Sequence, residues 1–154
     1  MWKRVALSVG LTGLLLLPTH VRIVSAASDG PLEGVWQLDA ADRPVAGVYI
    51  FARTHYSMMA ASTDRPDNVD TSKATADELR ALWNPMLGNA GAYEVTGNLV
   101  TIRPIVAKIP AVMKPGAYEV YEFRVENRTL LLTQRRNTRG PVENGATTKL
   151  VRVE

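Results

Sequence analysis

Two stretches in the second half of the chain alternate apolar and polar residues around a short turn, and they constrain the fold more than any other feature. Residues 91–102 read GAYEVTGNLVTI, with TGN between two alternating runs. Residues 117–134 read AYEVYEFRVENRTLLLTQ, with ENR in the same position. A period of two residues is typical of a half-buried strand, and a short turn between two such runs is typical of a hairpin. The sequence therefore predicts two antiparallel β-hairpins.

Shorter runs predict the remaining strands. Residues 34–40 (GVWQLDA) precede a turn, and residues 147–153 (TTKLVRV) close the chain. Residues 45–60 (VAGVYIFARTHYSMMA) are rich in Val, Ile and aromatic residues, and they predict either two strands or one bent strand. The total of about eight strands predicts an all-β fold, an antiparallel up-and-down barrel or a sandwich.

One segment departs from the strand pattern. Thr75 and Glu78 have the spacing of a capping box, and Leu79, Leu82, Trp83 and Met86 follow at helical spacing. Pro85 and Gly88 limit the end of this segment. The sequence therefore predicts one short helix at about residues 75–84.

The first 27 residues have the organisation of a secretory signal peptide. Lys3 and Arg4 precede an uncharged run from Val5 to Pro18, and small residues at 25–27 are suited to a signal peptidase. The apolar run is shorter than the roughly 20 residues needed to cross a bilayer. We therefore expect cleavage near Ala26 or Ala27, a secreted or periplasmic protein without an integral membrane anchor, and one domain at residues 28–154.

Charge and composition argue against a nucleic-acid binder and exclude stabilisation by disulfides. The whole chain has a formal net charge of +3, from 18 basic and 15 acidic residues. Three of the basic residues lie in the predicted leader, so the remaining chain carries 15 of each sign. A nucleic-acid binder needs a net positive field, and the chain without its predicted leader lacks one. The chain has no cysteine, so packing of the core has to stabilise it without disulfides.

Strand alternation predicts which side chains face inward. The more apolar face of residues 118–125 carries Glu119, Tyr121, Phe123 and Val125. The same alternation predicts an interior position for Trp36, Leu38, Tyr93, Val95, Val100, Ile102, Leu130 and Leu132. For residues 55–60 either face could be the inner one, since His55, Ser57 and Met59 alternate with Tyr56, Met58 and Ala60.

Four stretches, in their order along the chain, resemble the lipocalin-like domain family of bacteria and fungi, within the calycin superfamily. Residues 32–66 resemble its opening, with a Gly-x-Trp strand, a Gly-x-Tyr-Ile strand and a Met-rich strand before an Arg-Pro. Residues 76–83 (ADELRALW), 89–104 (NAGAYEVTGNLVTIRP) and 121–133 (YEFRVENRTLLLT) resemble its helix, its next hairpin and a late hairpin. The resemblance implies an eight-stranded up-and-down barrel with an interior cavity, and it implies no particular chemistry.

A barrel of this size has room inside for side chains or for one small ligand. An aromatic, mainly apolar interior with a few polar groups is typical of a small-molecule site. We expect the wall of such a site to include Trp36, Met58, Tyr93, Glu119, Tyr121 and Phe123. The expected partner is a small hydrophobic or amphipathic ligand.

The candidate catalytic residues are His55 and Glu119. His55 is the only histidine after the predicted leader, and Glu119 could act as a general base if it faces inward. Glu119 could instead lie at the barrel rim, paired with Arg103 or Arg124. One histidine and no cysteine cannot supply the ligands of an ordinary zinc site. The residues also do not show the spacing of a P-loop or of a dinucleotide-binding motif. The sequence thus predicts no metal and no cofactor.

Three functions are compatible with these features. The first is a carrier that binds a small apolar or amphipathic molecule inside the barrel. The second is an isomerase or cyclase of the calycin type that uses the same cavity, with His55 and Glu119 transferring protons. The third is a filled barrel that acts as an envelope interaction protein through its surface and the basic cluster at residues 135–139.

Overall fold

The computed structural model describes residues 30–41 and 43–154, so the predicted leader lies outside the described residues. The described chain contains nine strands, one α-helix and one 3-10 helix. The strands are β1 Gly34–Leu38, β2 Val45–Ala52, β3 His55–Ser62, β4 Met86–Thr96, β5 Leu99–Ala107, β6 Glu119–Glu126, β7 Thr129–Asn137, β8 Gly140–Pro141 and β9 Thr147–Arg152. The α-helix α1 is Ala76–Trp83, and the 3-10 helix is Pro110–Met113.

Eight of the strands form a closed antiparallel barrel. Strands β1 to β7 pair with their neighbours in chain order, and β9 pairs with both β7 and β1. The two-residue strand β8 pairs only with β7 and is not part of the barrel wall. Each side of every barrel strand is therefore paired, so the barrel has no free edge. The predicted all-β, up-and-down barrel with one short helix is confirmed.

The two ends of the barrel differ in their connections. At one end, which we call the turn end, two-residue turns join β2 to β3, β4 to β5 and β6 to β7. Arg53, Gly97 and Asn127 adopt positive φ angles of 47°, 60° and 54° in these turns. Such angles suit the tight hairpin connections that match strand twist. At the opposite end, the loop end, the four connections are longer, and they carry α1, the 3-10 helix and β8.

The hydrophobic core lies inside the barrel, toward the turn end. Its buried residues include Trp36, Phe51, Tyr93, Val100, Ile102, Leu130, Leu132 and Leu150. Leu38, Tyr121, Phe123 and Val125 are partly buried against this cluster. The predicted inner faces of these strands are therefore confirmed, with one correction. Val95 is 37% exposed, because only Thr96 separates it from the β4–β5 turn, close to the end of the barrel wall.

Strand β3 has a definite orientation that its sequence alone left open. Tyr56 and Met58 point inward and are buried, whereas His55 and Met59 lie on the outer face. The pairing with β2 fixes this choice, because Tyr56 lies opposite the buried Phe51 and Met58 opposite the buried Tyr49. Directly paired residues share a face of the sheet.

Trp36 closes the barrel at the turn end. Its side chain is fully buried, and its Nε1 donates a hydrogen bond to the Leu32 carbonyl oxygen at 2.7 Å. The Arg152 guanidinium lies over the indole ring, 4.2 Å from the ring centroid, and donates from Nη1 to the Glu33 carbonyl oxygen at 2.7 Å. These contacts connect the first strand to the last.

Gly34 is required by this arrangement. It has a φ of +131°, and a Cβ atom there would lie 2.7 Å from Arg152 Nη1 and 2.5 Å from the carbonyl oxygen of Glu154. Both contacts are too short for a side chain, and L-residues rarely adopt this backbone conformation. The Gly-x-Trp sequence therefore leaves space for the guanidinium that covers the tryptophan.

The helix at the loop end forms as the sequence predicts. Thr75 accepts a hydrogen bond from the Glu78 amide, and the Thr75 amide donates to Glu78 Oε2 at 2.7 Å, which completes the capping box. At the other end of the helix, Lys108 Nζ donates to the carbonyl oxygens of Trp83, Asn84 and Met86. A cation at a helix C-terminus is favourable. Among the described residues, no helix has the length and apolar character needed to cross a membrane.

Replacing Trp36 by alanine should destabilise the protein severely. The change W36A removes a fully buried indole, and such changes cost about 3–5 kcal/mol. Urea unfolding followed by circular dichroism measures the loss. The matched control is W83A, which removes an indole that is 57% exposed and lies over Lys108, for an expected cost of about 1 kcal/mol or less. Equal costs for the two variants would contradict the closing role of Trp36.

Candidate functional site

Polar side chains enter the barrel interior at the loop end of β6. Glu119 is the first residue of that strand, and it pairs with the buried Ile102 on β5. Tyr121 follows two residues later on the same face, opposite the buried Val100. Both side chains therefore face inward, as predicted. The Tyr121 hydroxyl donates a hydrogen bond to Glu119 Oε2 at 2.7 Å.

Two further tyrosines share this environment. Burial raises the pKa of the Tyr49, Tyr56 and Tyr121 hydroxyls, and the negative charge of Glu119 raises each of them further. The hydrogen bond to Glu119 raises the pKa of Tyr121 in addition. The three phenols therefore stay protonated at neutral pH and can donate hydrogen bonds. We call Tyr49, Tyr56, Glu119 and Tyr121 the inner polar cluster.

Two buried polar atoms have no hydrogen-bond partner among the described residues. One is the hydroxyl of Tyr56, whose side chain is 4% exposed, and the other is Oδ1 of Asn89 on β4. Asn89 lies opposite Met58, so it also faces the interior. A buried polar atom left without a partner costs about 1–3 kcal/mol, and native proteins seldom leave one. Such atoms are expected where a ligand or ordered water supplies the missing bond.

A cavity of about 330 Å³ opens beside the cluster at the loop end. Its polar wall includes Glu119, Gln134 and Asn137. Its apolar wall includes Pro104 and, from the 108–118 connection, Ala111, Val112 and Ala117, and the exposed Arg139 lies at its rim. A second cavity of about 300 Å³ at the same end is lined by Leu38, Tyr49, Ala60, Leu87 and Thr148, among others.

A β-bulge shapes the polar wall of the larger cavity. Tyr121 pairs with Gln134 and Val120 with Arg136, so β7 carries one extra residue at this level. Residues three apart on a regular strand face opposite sides of the sheet. Because of the extra residue, Gln134 and Asn137 both reach the same cavity. No feature of the sequence marks this bulge.

The remaining predicted wall residues lie deeper in the barrel. Trp36 and Tyr93 belong to the packed core toward the turn end, and Phe123 packs against that core. Phe51 and Tyr93 meet edge to face, with ring centroids 5.3 Å apart. Met58 is buried and faces inward. Of the six predicted residues, the structure thus brings Glu119 and Tyr121 together near the cavity, whereas the aromatic residues below them fill the barrel.

The structure does not bring His55 and Glu119 together. His55 is exposed on the outer face at the turn end, where its Nδ1 lies 3.0 Å from Thr54 Oγ1. Glu119 faces the interior at the loop end. The proton-transfer pair of the isomerase or cyclase alternative is therefore not formed, because the parity of β3 directs His55 to solvent.

The alternative position of Glu119 at the barrel rim requires an ion pair with Arg103 or Arg124, but both arginines pair with other carboxylates. Arg103 pairs with Glu94 at 2.8 Å, and Arg124 pairs with Glu126. All four lie on the outer face of the barrel, which explains why neither arginine reaches Glu119. Among the described residues, no three His, Asp or Glu side chains form a group that could hold a metal ion.

A separate apolar groove lies on the outer wall below α1. It measures about 390 Å³, and its lining includes Met59, Trp83, Val106 and Lys108. Met59, Trp83 and Val106 are each more than half exposed. This groove was not predicted, because the sequence does not show that Trp83 folds back over β3, β4 and β5.

The inward positions of three polar residues were missed at the level of sequence. That of Tyr49 could have been predicted, because Tyr49 alternates with Gly47 and Phe51 on β2. That of Tyr56 depends on the pairing of β3 with β2. Asn89 stands in a stretch that the pattern places between the helix and the hairpin, whereas β4 begins at Met86. Strand β4 is longer than its alternating part, because pairing with β3 extends it.

Comparison of the chain with protein-family models, with curated proteins and with solved structures gives no match. The geometry of the barrel and of its inner polar cluster is therefore the basis for inferring the function of this protein.

The buried tyrosines should make the protein sensitive to alkaline pH. The folded-state pKa values of Tyr49, Tyr56, Tyr93 and Tyr121 lie above the ordinary value of 10. Their contribution to stability is therefore complete below about pH 10 and is lost as the pH rises through the folded-state values. Each tyrosine lowers the unfolding free energy by up to about 1.4 kcal/mol per pH unit in that range.

Absorbance at 295 nm and urea unfolding, both as functions of pH, measure this effect. We expect the four phenols to ionise in the native protein only as it unfolds, while the urea-denatured chain titrates near about pH 10. Native and denatured titration curves that coincide would show that these hydroxyls are not buried.

Proposed function

We propose that this chain is an exported, lipocalin-like protein that binds one small apolar or amphipathic molecule at the loop end of its barrel. The observation that carries the proposal is the inner polar cluster. Tyr56 keeps a buried hydroxyl without a partner among the described residues, and it lies close enough to Glu119 for the charge of that carboxylate to raise the Tyr56 pKa. Glu119 itself borders the cavity. A bound molecule with a polar group would supply the missing hydrogen bond.

The dimensions of the site favour a small ligand. Pockets for small molecules have volumes of about 300–1,000 Å³ and combine an apolar lining with a few polar groups. The cavity of about 330 Å³ lies at the lower limit of this range. Because Trp36, Tyr93 and Phe123 fill the barrel below it, the proposed ligand lies near the loop end and does not extend along the whole barrel axis.

The proposed family membership is supported by two observations. The eight-stranded barrel agrees with what the sequence resemblance implies, and the Gly-x-Trp sequence lies on the first strand. Several unrelated families share barrels of this type, so the fold alone does not select one of them. The family assignment therefore remains part of the proposal.

Binding is favoured over the two other functions by the placement of charged side chains. The enzyme alternative loses its second proton-transfer group because His55 faces solvent. The interaction alternative relies on the basic cluster at 135–139, in which Arg135 already pairs with Glu122 at 2.6 Å. The outer groove around Trp83 is the one observation that supports an interaction surface.

Uptake of the neutral fluorescent probe N-phenyl-1-naphthylamine tests the proposed cavity. We expect saturable binding to the wild-type protein and an affinity at least about tenfold weaker in A117W, because an indole at this position occupies much of the cavity. The matched control is A52W, which places the same side chain on the outer face at the turn end. Displacement of the probe by alkanols of increasing length then reports the size of the site.

Absence of saturable uptake by the wild-type protein would refute the binding proposal. Equal uptake by A117W and the wild-type protein would place the probe elsewhere, with the outer groove as the next site to test by W83A.

Export is tested by expression of the full chain in a bacterial host and sequencing of the N-terminus of the product. The proposal expects export, with Ala27 or Ser28 as the first residue, because small residues precede each of these positions. The variant L15R interrupts the apolar run and should keep the chain uncleaved inside the cell. An intact Met1 on the wild-type product would contradict this part of the proposal.

A further inference from the structure

The charge of the inner wall is asymmetric. Of the described strand residues that face the barrel interior, Glu119 is charged at the loop end and Arg152 is charged at the turn end. The buried Trp36 and the core around it separate them, and Arg152 is occupied by the indole ring and the Glu33 carbonyl. In the connection between β1 and β2, Arg43 lines the second cavity at the loop end. The charged group that faces the interior beside the larger cavity is therefore a carboxylate, while Arg139 of the same lining is exposed at the rim.

The Glu119 carboxylate has one polar partner among the described residues. The Tyr121 hydroxyl donates to its Oε2 atom, and no ion pair is formed with any described lysine or arginine. A carboxylate has about four lone-pair sites, so one hydrogen bond leaves most of its acceptor capacity for a ligand. A partly buried carboxylate without a cation binds a cationic donor more strongly than a neutral one.

Two kinds of neutral polar group lie near Glu119. The Tyr56 hydroxyl, whose pKa the charge of Glu119 raises, has a buried oxygen that is unpartnered among the described residues and can accept a hydrogen bond. Gln134 and Asn137 contribute side-chain amides to the wall of the cavity that Glu119 borders, and Asn137 Oδ1 already accepts a hydrogen bond from the Arg139 amide. A protonated amine can pair with Glu119, whereas a carboxylate ligand would face Glu119 with a like charge.

The opposite wall of the cavity is apolar. Pro104, Ala111, Val112 and Ala117 form it, and they present no hydrogen-bonding side chain. The cavity therefore has a polar side with a negative charge and an apolar side, which together match a molecule with one positive end and a short hydrocarbon part.

We infer that the ligand of this barrel is a small amphipathic amine, whose protonated nitrogen is bound by Glu119 at the loop end. This inference rests on the proposed function, because it names the class of molecule that the same cavity takes. Arg139 at the cavity rim is the one feature that would favour the opposite class, an anion, and the test includes it.

Three ligands of equal chain length separate these classes at neutral pH: decylamine, decanol and decanoate. Isothermal titration calorimetry or probe displacement gives their affinities for the full protein. We expect decylamine to bind at least about tenfold more tightly than decanoate, with decanol between them. In E119Q the affinity for decylamine should fall about tenfold while that for decanol stays unchanged.

Two control variants complete the design. E126Q makes the same chemical change on the same strand, but its carboxylate lies on the outer face, so decylamine affinity should not change. R139Q should leave the decylamine affinity unchanged or raise it. The amide of E119Q can still accept the Tyr121 hydrogen bond, and the urea midpoint of each variant verifies that it is folded.

The outcomes distinguish the inference from the function on which it rests. Decanoate that binds most tightly and loses affinity in R139Q would overturn the inference in favour of an anion site. Equal affinities for all three ligands would also overturn it, while leaving a non-selective binding cavity in place. Binding of none of the three, together with no uptake of the neutral probe, would remove the proposed function itself.

Discussion

The contact between Arg152 and Trp36 is the constraint on which the rest of the barrel depends. It joins the last strand to the first, so it secures the seam at which the barrel closes. The guanidinium also donates to the backbone before β1, and its position leaves no room for a side chain at residue 34. An arginine stacked on a buried indole combines packing, a cation–π interaction and a charge-assisted hydrogen bond in one place. The geometry of the turn end follows from these three residues.

The inner polar cluster has a different physical basis. A core made only of apolar side chains would be more stable than one that holds a carboxylate and three phenols, because each polar group loses hydration when it is buried. The cluster lies where the packed core ends and the cavity begins, so the cost of burying Glu119 is limited by its position. The Tyr121 hydrogen bond offsets part of that cost. The cluster thus lowers the stability of the ligand-free protein. A ligand that binds the native state at this cluster would raise that stability again.

Sequence patterns predicted the barrel well because most of its signals are local. The two hairpins follow from alternation around TGN and ENR. The start of α1 could be predicted from its capping box, because Thr75 and Glu78 are only three residues apart in the sequence. The inward positions of Trp36, Glu119 and Tyr121 follow from the same alternation.

The features that sequence did not reveal depend on contacts between distant residues. The orientation of β3 is set by pairing with β2, so His55 could not be assigned to a face in advance. The bulge that brings Gln134 and Asn137 to one cavity depends on how β6 and β7 meet. Lys108 binds the end of α1 across 22 to 25 residues of chain. The space beside Glu119, and the Tyr56 hydroxyl that has no partner in the described part of the chain, result from the whole barrel, and no local pattern encodes them.

The difference in length between the two sets of connections has a consequence for how this protein can change over evolution. An inserted residue in a two-residue turn would shift the register of a hairpin and reverse the inward and outward faces of a strand. The longer connections at the loop end can gain or lose residues without altering the registry of any strand. Residues that maintain the fold are thereby separated from those at the loop end, where we propose that a ligand binds. Descendants of such a chain can acquire new specificities by exchanging loops on a barrel that stays the same.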